Sequence, residues 1–342
     1  MVSGRGKAGI GIIVLAVALC LLTMYKYMNT MDAQMDRLRD VANEMENLKE
    51  TIESDVSNIE TKKTAPLITE PEANKALGPF RKSPANEELE RIWNYVYHMQ
   101  YKCTKSKYLG GKPEMFMDGA YDLCIEPQFW EKANNPDYKC LMYSFGVGYD
   151  FSFDDEMAKL GCEVHSFDPS MTYQDGMVRE SGVTFHKIGI SDQDLEADSK
   201  GWKMRTLKTL LKELGHNGRY LDYLKVDTDA PQGGFEDTLM QELLNTGLHQ
   251  CVRQYAQEIH LMGPLKEDPQ LERLRLIYDQ LHQLNDQGWR LYNTTDNIRY
   301  MLNNNPQASQ LYNKGQIMEK KIGILWETAF VNFGLKGPCI VV

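Results

Sequence analysis

Cys140 to Ser170, C-L-M-Y-S-F-G-V-G-Y-D-F-S-F-D-D-E-M-A-K-L-G-C-E-V-H-S-F-D-P-S, is the stretch whose pattern decides the fold. A short apolar run ends in Gly146-Val147-Gly148, a helical pattern covers Phe151 to Leu160, Gly161 stops it, and a second apolar run ends in Asp168. This is a β-α-β unit with a glycine turn after its first strand and an acid after its second. Parallel strands joined by a right-handed crossover place both features on one edge of the sheet, facing one crevice. Crevices of that kind take nucleotide-like ligands.

Toward the C-terminus the alternation continues. Val183 to Ile190 predicts a strand, and Trp202 to Leu214 a helix with Met204, Leu207, Leu211 and Leu214 on one face. Tyr220 to Val226 predicts a strand ending at Asp227, Glu236 to Asn245 a helix, and Cys251 to Ile259 a strand leading into His260. A long helix opens at Asp268-Pro269 and stops at Gly288, and Trp289 to Tyr292 and Thr328 to Phe333 are the last strands. Such alternation defines an α/β fold with one open, mostly parallel, Rossmann-like sheet over residues 139–342. Before it, Ser83-Pro84 starts a helix with Leu89, Ile92, Trp93, Val96 and Met99 on its apolar face. Gly110-Gly111 and Asp118-Gly119 mark turns in a hairpin or irregular segment, so residues 83–138 form an extension to the core.

The first 82 residues differ in character. Ala8 to Tyr25 is a nearly unbroken apolar run of bilayer-spanning length, flanked by Arg5, Lys7 and Lys26. No small-residue cleavage site follows it, which favours an uncleaved signal anchor over a removed leader and a secreted product. The positive-inside rule keeps residues 1–7 cytosolic, which makes the chain a single-pass type II protein of the Golgi or another secretory membrane, with its domain lumenal. Met31, Leu38, Met45, Ile52 and Ile59 then recur every seven residues, with Met35, Ala42, Lys49 and Val56 at the alternate seam positions. The heptads predict a coiled-coil stem over 28–60 and, through it, a homo-oligomer. Pro66, Pro71 and Pro79 make 61–82 a linker.

A net charge of -10 argues against a nucleic-acid partner, since phosphate binding needs clustered Lys and Arg. Beyond Cys20 in the apolar run there are six cysteines, an even set that suits an oxidising compartment. Their pairing is not fixed by sequence, and buried thiols are the alternative; Cys103 with Cys124, bracketing a turn-rich loop, is the favoured pair. No Cys/His spacing points to zinc. Asn293-Thr294-Thr295 is a sequon compatible with a lumenal glycoprotein loop.

Gly148 and Asp168 stand twenty residues apart, a spacing at which an acid can accept from a ribose diol beside the glycine turn. Phe151 occupies the place of a third glycine and disfavours a dinucleotide, and no G-x-x-x-x-G-K-S/T is present. A nucleoside without phosphates fits better, which points to S-adenosylmethionine. Ser144, Gly146, Gly148, Asp168 and Ser191 are the candidate cofactor residues.

Tyr143-Ser144-Phe145-Gly146, Gly161 to Ser170, Leu224-Lys225-Val226-Asp227 and Glu258-Ile259-His260 resemble the successive motifs of the animal methyltransferase-like proteins. The likeness is to the methyltransferase-like protein 24 group and, more distantly, to the FkbM methyltransferases, from about Cys103 to the C-terminus. It implies a class I S-adenosylmethionine-dependent methyltransferase fold with six parallel strands and one antiparallel strand. Two departures stand out: Ser144 replaces an acid common two residues before the first glycine, and the fourth-strand Asp227 is followed by Thr228-Asp229-Ala230-Pro231-Gln232-Gly233-Gly234 where the family tends to have a Glu-Gly pair and another acid.

Methyl transfer to a hydroxyl needs positioning and proton removal. Asp227, Asp229 and His260 are the candidate catalytic residues, with His260 or Asp229 as base. Asp227 and Glu258 are the candidate ligands of a divalent metal. The acceptor expected is a glycan, protein or small hydroxylated molecule. Two rival readings are a Golgi glycosyltransferase using Asp227-Thr228-Asp229 as its metal motif, and an inactive domain on a membrane-tethered scaffold.

Overall fold

The computed structural model describes residues 85–113, 117–228, 236–260, 268–296 and 325–341. The anchor, the stem and the linker lie outside the described residues, as does Asp229. Among the described residues no helix is long and apolar enough to cross a membrane.

Helix α1 (Ala85–Tyr97) precedes a hairpin of β1 (Ser106–Gly110) and β2 (Ala120–Cys124). The core then runs β3 (Leu141–Phe145), α2 (Ser152–Lys159), β4 (Glu163–Phe167), β5 (Thr184–His186), β6 (Gly189–Ile190), β7 (Met204–Arg205) and α3 (Leu207–Glu213). It continues through β8 (Leu221–Val226), α4 (Glu236–Thr246), β9 (Val252–His260), α5 (Asp268–Asp286), β10 (Trp289–Asp296) and β11 (Leu325–Asn332). Seven strands form one sheet in the order β10-β11-β9-β8-β3-β4-β5. β11 pairs antiparallel with both neighbours, and the other pairings are parallel.

The central strands β3, β8 and β9 are buried along their whole length, because both faces of the sheet are covered. Phe153 and Met157 of α2 pack with Met142 and Val164 on one face, together with Tyr121 and Leu123 of the hairpin. Ile92 and Val96 of α1 and the buried leucines of α3, α4 and α5 pack with Leu141, Tyr143 and Phe145 on the other. Two expected elements divide. The Val183 to Ile190 strand breaks at Lys187, so that β5 stays in the main sheet while β6 pairs with β7. The Trp202 to Leu214 helix starts only at Leu207, because the Thr206 side chain accepts from the Thr209 amide and caps it there.

All six cysteines among the described residues are paired: Cys103–Cys124, Cys140–Cys162 and Cys251–Cys339, with Cα separations of 6.0, 4.4 and 4.9 Å. Cys140 and Cys162 sit at the entries of β3 and β4, so a bridge fits without backbone movement. Closing loops of these lengths stabilises by roughly 3 to 5 kcal/mol each. The sequon lies in β10 rather than in a loop. Asn293 is half-buried and its amide nitrogen donates to Asp122 on the hairpin, so the acceptor atom is already engaged.

Candidate active site

The turn after β3 is built on two unlike glycines. Gly146 has φ +76°, and a Cβ there would lie 1.5 Å from the carbonyl oxygen of Asp227. The ends of β3 and β8 therefore meet backbone to backbone, which only glycine permits. Gly148 has φ +55° and nothing within 4 Å of where its Cβ would be. Its backbone faces open space, as a cradle for an approaching ligand must.

Asp168 clamps this turn. Its Oδ2 accepts from the amides of Val147 and Gly148 at 3.2 and 3.1 Å, and its Oδ1 from the amide and hydroxyl of Ser170 at 2.9 and 2.6 Å. Tyr149 follows with φ +67°, an uncommon conformation for an aromatic residue, and its hydroxyl accepts from the Thr172 amide at 3.3 Å. Strained residues of this kind cluster at ligand sites.

Gly146, Gly148 and Asp168 thus come together as the sequence implies. Ser144 does not join them. It is fully buried within β3, in register with Ser166, whose hydroxyl donates to Asp154 of α2. Direct contact with a cofactor is closed to it, because this position faces the α2 layer. Ser191 follows β6 and bonds to Arg205 through its amide and to Asp192 through its hydroxyl, not to the glycine turn.

The second half of the site lies at the ends of β8 and β9. Asp227 Oδ2 accepts from the Tyr121 hydroxyl at 3.0 Å and faces Lys225 Nζ at 3.3 Å. Lys225 Nζ also donates to the Gly146 carbonyl at 2.6 Å, which joins the acid group to the glycine turn. Glu258 bonds to Asp227, and its Oε2 lies 3.3 Å from His260 Nε2. One ligand atom from each of Asp227, Glu258 and His260 falls within 4.8 Å of the others. Glu327 of β11 is buried opposite Glu258 in the strand register.

Burial favours the neutral form of each carboxyl. Against it, the Lys225 charge holds Asp227 below its ordinary value. Burial together with the Asp227 charge pushes Glu258 up to about 7. Glu327 is raised well above its ordinary value by burial and by the charges of Glu258 and Asp227. The group therefore holds an ionised Asp227 beside carboxyls that keep their protons to higher pH, a separation typical of acid and base pairs.

Asp227, Glu258 and His260 are the residues that the sequence singles out, and Tyr121, Lys225 and Glu327 are additions from the fold. A lysine inside the apolar run Leu224-Lys225-Val226 is a signal the sequence carries, as is Glu327 inside Trp326 to Val331. Tyr121 has none, since its position depends on how the hairpin crosses the sheet.

The raised Glu258 makes a prediction about stability. Between its ordinary value of 4.5 and about 7 the folded chain holds a proton that the unfolded chain has lost, so raising pH through that window favours unfolding. In chelator, the wild-type stability minus that of Glu258→Gln is expected to fall by on the order of 3 kcal/mol between pH 4 and pH 8. Urea melts at intervals across that range measure it; a flat difference would remove Glu258 as the titrating group.

The sheet order, the single antiparallel strand and a glycine turn and acid on adjacent central strands define a class I methyltransferase fold. The chain belongs to the methyltransferase-domain family, whose model matches residues 29–305. It is 28% identical over 229 residues to the Rattus norvegicus protein named Probable methyltransferase-like protein 24, covering 64% of this chain and 60% of that one. The Homo sapiens protein of the same name is 26% identical over 220 residues, 61% of this chain and 57% of its own length. The chain therefore spans about 60% of the length of the curated relatives it matches. A Lactobacillus casei structure described as a cyclopropane-fatty-acyl-phospholipid synthase-like protein aligns over 60% of this chain and 90% of its own at 11% identity, with a TM-score of 0.29, too low to carry an argument.

Proposed function

We propose that the chain transfers a methyl group from S-adenosylmethionine to an oxygen of a hydroxylated acceptor, a glycan, protein or small molecule, in the secretory lumen. The observation that carries this reading is the Lys225 bridge, which sets the Asp227 and Glu258 pair beside the glycine turn. Gly148, whose backbone faces open space, and Asp168 are the residues that would hold the nucleoside. S-adenosylmethionine, when bound there, would supply an electrophilic sulfonium methyl group. Asp227, with about a fifth of its side chain exposed, is the acid that an acceptor can touch. Glu258, poised near neutral pH behind it, takes up the hydroxyl proton through Asp227 or His260.

A second reading is supported by the close approach of Asp227, Glu258 and His260, which suits a divalent cation that acidifies the acceptor hydroxyl. Three disulfides support an oxidising compartment, and the apolar run and heptads support a tethered, oligomeric type II protein.

Calorimetry on the full chain in detergent, with S-adenosylmethionine, S-adenosylhomocysteine and UDP plus manganese, tests the proposal. The adenosyl compounds are expected to bind, and Asp168→Ala to weaken them by at least about tenfold through loss of the turn clamp and a charged hydrogen bond. Binding of UDP alone would favour the glycosyltransferase reading. Binding of none would favour a tethered scaffold.

A further inference from the structure

A second cluster of ligating side chains lies at the opposite end of β4. Glu163 opens that strand, whereas Asp168 follows its end, about 16 Å away at the rise of an extended chain. His165 Nε2 and His216 Nε2 lie 3.3 and 3.2 Å from the same carboxylate oxygen, Glu163 Oε1. The three atoms all fall within 4.8 Å of one another. In a tetrahedral zinc site with bonds of about 2.0 to 2.1 Å, ligand atoms stand about 3.4 Å apart. Two edges of that figure already exist.

We infer that Glu163, His165 and His216 form a site for a divalent transition metal of zinc type, separate from the methyl-transfer centre. The surroundings are those of an orienting outer shell. His216 Nδ1 bonds to the Tyr143 hydroxyl at 2.6 Å, and His165 Nδ1 to His186 Nε2 at 2.9 Å. Each ring is thus fixed through its other nitrogen, with Nε2 turned to Glu163. The second carboxylate oxygen, Oε2, is taken by Arg219 at 2.8 Å and Lys139 at 3.3 Å, which leaves Oε1 to the two rings. Those cations oppose a metal's charge, and the anionic Glu163 between them offsets one of the two. The imidazoles are largely buried, and neutral imidazole is the form that ligates.

Such a metal replaces the two Nε2–H donors to Glu163 and would tie β4 to the turn after α3, with the fourth position left to water. The site includes no residue of the acid group, so it stands or falls independently of the catalytic reading.

The test uses the full chain, stripped with chelator and titrated with zinc chloride. Wild type and Glu258→Gln are both expected to bind zinc and to melt at a higher temperature when loaded. His165→Gln/His216→Gln is expected to lose at least about 100-fold in affinity, and Tyr143→Phe about tenfold. X-ray absorption of the loaded wild-type chain needs no variant and is expected to count two imidazoles, whereas the Asp227, Glu258 and His260 group can supply one. No zinc binding by the wild type, or binding with a single imidazole that survives the double histidine change, would overturn the inference.

Discussion

Asp227→Asn is expected to lower methyl transfer by about 100- to 10,000-fold while leaving S-adenosylmethionine binding within a few fold of wild type. The substitution keeps the shape of the side chain and removes its charge. Its neighbours depend on that charge: Lys225 faces it at 3.3 Å, the Tyr121 hydroxyl donates to it at 3.0 Å, and Glu258 and Glu327 are raised by it. Without it, Glu258 titrates lower and is no longer poised near neutral pH, and an acceptor or cation loses the exposed acid of the group. The nucleoside side, Gly148 and Asp168, is held by bonds from Val147, Gly148 and Ser170 that the substitution does not touch. S-adenosylhomocysteine release with a secretory-pathway glycoprotein fraction as acceptor, alongside calorimetry of the cofactor, separates the two effects. An unchanged rate would remove Asp227 from the chemistry, and parallel loss of cofactor affinity would move it to the binding side. Some loss of stability is also expected, because Lys225 is buried and would lose its nearest counter-charge, keeping the Gly146 carbonyl, the Tyr121 ring and the charges of Asp154 and Glu258.

The β-α-β unit is legible in the chain because each of its boundaries has a local cause: glycines at the strand end, a helical period from Phe151 and a Gly161 stop. β8 is legible too, since its largely apolar run stops just before Asp227, whereas β9 is half polar and carries Glu258 within the strand. What local pattern cannot supply is contact between strand ends. Lys225 points from within its strand to the Gly146 carbonyl, and Glu327 meets Glu258 only through the antiparallel return of β11. Ser144 shows the converse, since a position two before the glycine looks adjacent to the crevice in sequence but alternation turns it into the α2 layer. The Glu163, His165 and His216 group is illegible for a similar reason, because His216 arrives from a turn that follows an intervening helix. Disulfides are partly legible: Cys103 and Cys124 bracket one loop, whereas Cys251 and Cys339 are 88 residues apart and meet only after the sheet closes.

Gly146→Ala is expected to abolish the folded domain, and Gly148→Ala to leave it folded but impaired in cofactor binding. Both positions have positive φ, so each alanine pays a left-handed backbone penalty of roughly 1 to 2 kcal/mol. The difference lies in space. At position 146 the new Cβ would stand 1.5 Å from the Asp227 carbonyl oxygen and 2.5 Å from its carbonyl carbon, a backbone group with no rotamer through which to escape. Relief requires β3 and β8 to separate at the ends where Lys225 and Asp227 are placed, which breaks the Lys225 bond to the Gly146 carbonyl as well. A cost above about 4 kcal/mol follows, a large share of a domain's total stability. At position 148 the Cβ meets nothing, so the only loss beyond the backbone penalty is of the open surface over which a nucleoside would lie. Soluble yield and thermal melts of the two variants, followed by calorimetry with S-adenosylhomocysteine on whichever folds, give the comparison. Equal stability of the two would mean that β3 and β8 do not approach as closely as 1.5 Å implies. A folded Gly148→Ala with undiminished affinity would place the nucleoside elsewhere than over this turn.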